Sequence, residues 1–120
     1  MNAAVMDFSP ETSAWTTICP VDHILPNTGV CALVEGRHVA VFRVGSGQLF
    51  AIDNVDPKSG ASVLSRGLVG SLGGRTVVAS PLYKQHYDLR TGECLESPEY
   101  AVQAHQVCME GGKVRVALAL

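Results

Sequence analysis

Two short segments, Asp56-Pro57-Lys58 and Ser80-Pro81-Leu82-Tyr83, hold the side chains whose types and spacing could do chemistry. Each follows a strand-like run, carries a proline directly after its first residue, and gives way to polar or glycine-rich chain, so the pair reads as two loop tips presented side by side. Asp56, Lys58, Ser80 and Tyr83 supply a carboxylate, an ammonium, a hydroxyl and a phenol. An ammonium is no metal donor, and without a thiolate or an imidazole the set predicts no soft-metal site. Ser80 lacks the G-x-S-x-G surroundings of a hydrolase nucleophile. The four residues could form an active site of a new kind, touch a partner directly, or act as a plug that holds the two tips together. The plug is the expectation: Pro57 and Pro81 each stiffen a tip by about 0.5–1 kcal/mol, and a contact of Asp56 with Lys58 or Lys84, with Tyr83 packed alongside, would add to it. No catalytic residue is expected.

The other metal-capable side chains are scattered. His23, His38, His86 and His105 contain no i, i+2 or i, i+4 pair. Cys19, Cys31, Cys94 and Cys108 match no zinc or redox spacing and are expected as free thiols. The Gly70-Ser71-Leu72-Gly73-Gly74 stretch precedes no helical pattern, so no phosphate-cradling loop is read there.

The elements that must position the tips are strands. Runs of β-branched and apolar residues recur at intervals of about 8–12 residues with Gly or Pro between them, and no stretch sustains a 3.6-residue period, which is an all-β signature. Strands are expected at Trp15 to Cys19, Val30 to Val34, Arg37 to Val44, Gln48 to Asp53, Thr76 to Ser80, His86 to Leu89, Ala101 to Met109 and Lys113 to Leu118. Glu35-Gly36 should close a hairpin. Val39 and Val41 alternate with Ala40, Phe42 and Val44, so both faces of that strand should be covered. Gly70 to Gly74 is read as a flexible connection, and Ala61 to Leu64 as a turn or one-turn helix.

With 120 residues the chain is expected to form one domain over residues 14–120, preceded by a short disordered lead, Met1 to Ser13, that lacks the features of a secretory signal. Nine Lys plus Arg against eleven Asp plus Glu, without a like-charge block, give no support to nucleic-acid or membrane-surface binding. The longest apolar runs are five residues, against the roughly 18 that a spanning helix needs, so a soluble chain is expected.

The layout of the two tips resembles the Rieske iron–sulfur domain, whose first loop reads C-P-H, whose second reads C-P-x-H-G, and whose next strand reads F-D-L-x-T-G. Tyr87-Asp88-Leu89-Arg90-Thr91-Gly92 matches that strand, and Ser65-Arg66-Gly67 matches a turn of the same scaffold. The cluster ligands, two thiolates and two imidazoles, fall at Asp56, Lys58, Ser80 and Tyr83. The scaffold without its ligands, together with Ala79-Ser80-Pro81-Leu82-Tyr83-Lys84-Gln85, resembles the cluster-free small subunits of assimilatory NADH-dependent nitrite reductases over roughly Trp15 to Val116. That resemblance implies a Rieske-like antiparallel β sandwich with no [2Fe–2S] cluster. It implies a cytoplasmic, non-redox subunit that docks to a large subunit carrying FAD, an iron–sulfur cluster and siroheme, and supports its reduction of nitrite to ammonia. Lys58, Arg66, Lys84 and Gln85 are then the candidate partner-facing surface. A free-standing Rieske-like binding or assembly module with another partner is the alternative.

Overall fold

The structure, a computed structural model, describes residues 14–119; the lead expected over residues 1–13 lies outside them. Nine strands are present among the described residues: β1 Thr16–Pro20, β2 Thr28–Val34, β3 Arg37–Val44, β4 Gln48–Asp53, β5 Leu68–Leu72, β6 Arg75–Ala79, β7 His86–Asp88, β8 Ala104–Glu110 and β9 Lys113–Ala117. Helical structure among them is confined to three single 3-10 turns, Val21–His23, Leu64–Arg66 and Pro98–Tyr100. Every pairing between the strands is antiparallel. A six-stranded sheet runs β1-β9-β8-β4-β3-β2 and a three-stranded sheet runs β5-β6-β7. The all-β, antiparallel expectation holds.

Alternation along β3 divides the core in two. Ala40 and Phe42 point to one side, where Phe50 and Ile52 from β4 meet Leu64, Val78, Tyr87, Leu89 and Cys94 of the smaller unit. Val39 and Val41 point to the other, against Ile24, Val34, Ala51, Val114 and Val116. Ala40, Phe42, Val39 and Val41 are all fully buried, so the central strand is covered on both faces, as its period-two pattern predicts. Edge strands β1 and β2 line one shared groove, so the large sheet curls around the second core. The Glu35-Gly36 hairpin forms with φ of 48° and 83°, the paired left-handed conformation that matches sheet twist.

Two expectations about elements are corrected. Of the connection expected over Gly70 to Gly74, Gly70 to Leu72 instead belong to the edge strand β5, in register with β6 from Leu68 opposite Ala79 to Leu72 opposite Arg75. The turn is confined to Gly73 and Gly74, at φ of 60° and 80°, and a glycine such as Gly70 is tolerated at a sheet edge where little packs on it. The strand expected from Ala101 begins only at Ala104. The Val102 N–H is spent on the Gly92 carbonyl of the smaller unit at 2.8 Å, and the Gln103 N–H on Asp53 Oδ2 at 3.1 Å, so this stretch crosses between the sheets instead of extending a ladder.

Candidate functional site

Loop 1 leaves the end of β4 and loop 2 joins β6 to β7, and both close by the same backbone device. In loop 1 the Asp56 N–H donates to the Ala61 carbonyl at 2.8 Å and the Gly60 N–H returns to the Asp56 carbonyl at 2.7 Å. In loop 2 the Ser80 N–H donates to the Gln85 carbonyl at 2.9 Å and the Lys84 N–H returns to the Ser80 carbonyl at 3.0 Å. The fifth residue of each loop is left-handed, Gly60 at φ 78° and Lys84 at φ 68°. Pro57 and Pro81 occupy second positions, where no N–H is needed and a fixed φ helps the turn.

Asn54 anchors loop 1 and was not singled out from sequence. It is 1% exposed. Its carbonyl accepts the N–H groups of Val63 and Leu64, both at 3.0 Å, its Oδ1 accepts the Ser65 N–H at 2.7 Å, and its Nδ2 donates to Ser62 Oγ at 2.7 Å. A buried asparagine that satisfies this many backbone groups fixes the path of a loop. Gly67 then brings the chain against β6: a Cβ there would overlap the Ala79 carbonyl and lie 2.7 Å from Val78 Cγ2. That close approach sets loop 1 beside loop 2.

The first residues of the two loops are bonded to each other. Asp56 and Ser80 are buried, and the Ser80 hydroxyl donates to Asp56 Oδ2 at 2.5 Å. Asp56 Oδ1 accepts the Lys58 N–H at 2.9 Å, with Gln85 Nε2 farther off at 3.4 Å. Gln85 Nε2 also donates to the Tyr87 hydroxyl at 3.0 Å. Burial pushes the Tyr87 phenol far above its ordinary pKa; the Gln85 amide opposes this and the Asp56 charge adds to it. At the surface the Lys58 ammonium lies over the Tyr83 ring, 4.8 Å from its centroid. The four sequence-predicted positions therefore pair across the gap, Asp56 with Ser80 and Lys58 with Tyr83.

Two details differ from expectation. Asp56 takes the backbone N–H of Lys58 and not an ammonium, because the carboxylate points inward while both lysines stay at the wet end of the loops. Gln85, expected on the partner-facing surface, is 7% exposed and turned into the space between the loops. Arg66, Lys84 and Lys58 are exposed.

Three of the four histidines are engaged separately: His38 Nδ1 with Ser62 Oγ, His86 with Glu96, and His105 Nε2 with Asp53 at 2.8 Å. The cysteines are free thiols. Among the described residues no three His, Cys, Asp or Glu side chains are grouped as a metal site.

The matching family model is a Rieske-like [2Fe-2S] domain, over residues 14–117. The nitrite reductase (NADH) small subunit of Salmonella typhimurium is 48% identical over 105 residues, which is 87% of this chain and 97% of that protein. The chain belongs to the nitrite reductase (NADH) small-subunit family. Within that family, the solution structure of the nitrite reductase [NAD(P)H] small subunit from Erwinia carotovora superposes with a TM-score of 0.77 at 50% identity, over 90% of this chain and 84% of that one. The Klebsiella oxytoca nitrite reductase [NAD(P)H] large subunit is 47% identical over 102 residues, 85% of this chain but 11% of that protein. The cluster named for the wider domain does not fit these loops. Neither loop, 56–61 or 80–85, contains a cysteine or a histidine, and the buried carboxylate and hydroxyl between them are committed to one another.

Proposed function

We propose that this chain is the non-redox small subunit of a cytoplasmic NADH-dependent nitrite reductase. It docks to a large subunit that carries FAD, an iron–sulfur cluster and siroheme, and it supports that subunit's reduction of nitrite to ammonia. The observation that carries the non-redox part is the Ser80 to Asp56 bond, since the groups that would have to hold a cluster hold each other instead. The docking part draws on the family relatives and on the Klebsiella oxytoca large subunit, in which a stretch similar to this chain occupies a small share of a much longer polypeptide. A module found within the same polypeptide as its partner in one protein is free to act as a separate subunit in another, with linkage replaced by binding.

The test has two arms. Purified chain is assayed for iron, sulfide and visible absorption; stoichiometric iron with sulfide would refute the non-redox assignment. The large subunit is then assayed for NADH-dependent nitrite loss with and without this chain, which is expected to raise the rate. Equal rates in both, with no complex on gel filtration, would refute the subunit assignment.

A further inference from the structure

The end of the molecule built from the two loops exposes both apolar and cationic side chains. Leu68, Leu82 and Tyr83 are 80%, 50% and 52% exposed. Lys58, Arg66 and Lys84 are exposed as well, Lys58 over the Tyr83 ring and the other two in one cleft with Leu68. Within residues 54–68 and 79–85 the one acidic side chain is Asp56, and it is buried. Among the described residues none of these three cations forms an ion pair, whereas Arg37, Arg75 and Arg115 each do. None of the ion pairs among the described residues neutralises these cations.

Lys84 carries a second sign that the charge is used. It occupies the left-handed position, φ 68°, that the first loop gives to Gly60. That conformation suits glycine and strains a lysine, so a residue chosen for the turn alone would not be lysine. Arg66 and Lys84 line one cleft of about 190 Å³ together with Leu68 and Pro81, which places two unpaired cations beside exposed apolar surface.

We propose that this end is the docking surface for the partner subunit, and that the partner meets it with an apolar patch bearing Asp or Glu side chains, one carboxylate entering the cleft between Arg66 and Lys84. The identity of the partner rests on the function proposed above; the chemistry of the surface rests on the charge and exposure of these residues. Exposed apolar side chains supply affinity while charged ones supply orientation and rate, and the three cations would make that rate fall with ionic strength.

The experiment measures binding of the full chain to the large nitrite reductase subunit of the same organism at low and high salt. It compares wild type with Arg66→Glu/Lys84→Glu, with Leu82→Ser, and with Lys113→Glu as a control at the start of β9. Melting curves confirm that each variant is folded. The double reversal is expected to weaken binding by about tenfold or more, Leu82→Ser by several-fold, and Lys113→Glu not measurably; wild-type binding should weaken with salt and that of the double reversal should not. If wild type binds and the folded loop variants bind equally well, the docking surface lies elsewhere and this proposal is overturned while the subunit assignment stands. If wild type does not bind the large subunit at any salt concentration, both fall.

Discussion

The Ser80 hydroxyl donates to the Asp56 carboxylate at 2.5 Å, joining the first residues of two loops that lie 24 positions apart in sequence. Ser80→Ala would leave a buried carboxylate with the Lys58 N–H and a distant amide as its donors. The expected loss is about 1–3 kcal/mol, the cost of leaving a buried group under-satisfied. Urea unfolding should show it as a lower midpoint with an unchanged slope. The pair Asp56→Ala and Ser80→Ala should be clearly non-additive, the double variant losing less than the sum of the singles; strict additivity would mean that the bond does not hold the loops.

Asp88 sets an acid limit on stability. Burial alone raises its carboxyl, but the Arg75 guanidinium at 2.6 Å and the Arg90 and Thr91 N–H groups outweigh burial and hold the pKa below its ordinary value. A carboxyl with a depressed folded pKa contributes stability that is fully present above the unfolded pKa, about 3.9, and is lost as pH falls through the folded value. Asp88→Asn should therefore lower the melting temperature at neutral pH and flatten its decline below about pH 4. An identical acid limb in the variant would exclude Asp88 as its source.

Tyr87 acts at the opposite end of the scale. Its phenol is raised by burial, so the folded state keeps its proton where the unfolded state begins to lose it, near pH 10. Stability is complete below that pH and declines above it. Phenolate absorbance should report fewer than the three tyrosines of the chain until alkaline unfolding, and Tyr87→Phe should remove the late component. Full ionisation of all three while the near-ultraviolet circular dichroism stays native would contradict the burial.

Two left-handed glycines separate backbone strain from crowding. A Cβ on Gly36, φ 83°, would meet nothing, whereas one on Gly92, φ 84°, would overlap the Val102 carbonyl. Gly36→Ala should cost about 1–2 kcal/mol from conformation alone. Gly92→Ala should cost about 2–5 kcal/mol, because overpacking is added to that strain. Equal losses in denaturant unfolding would show that the crossing at Val102 yields freely.

The strands were legible because most of their information is local. Val39, Ala40, Val41 and Phe42 announce a strand covered on both faces, and Glu35-Gly36 announces its turn. The edge strand β5 was hidden because Gly70 and Ser71 look like linker, and only pairing with β6 makes Leu68–Leu72 extended. In the site, the two proline-bearing tips could be read from the sequence, and the resemblance to the Rieske domain singled out Asp56, Lys58, Ser80 and Tyr83 on them. Which atoms meet could not. Whether Asp56 faces Ser80 or a lysine is decided by long-range geometry, including the Gly67 contact with Ala79, and Gln85 turns inward because the carboxylate and Tyr87 wait there. Asn54 passed as an ordinary loop residue because its value lies in bonds to Ser62, Val63, Leu64 and Ser65, eight to eleven residues further along the chain.

A clasp made from a hydroxyl and a carboxylate asks nothing of the cell beyond translation. The two fingers close with atoms the ribosome supplies. Folding of this chain should accordingly continue through iron starvation, and its melting temperature should be indifferent to iron chelators.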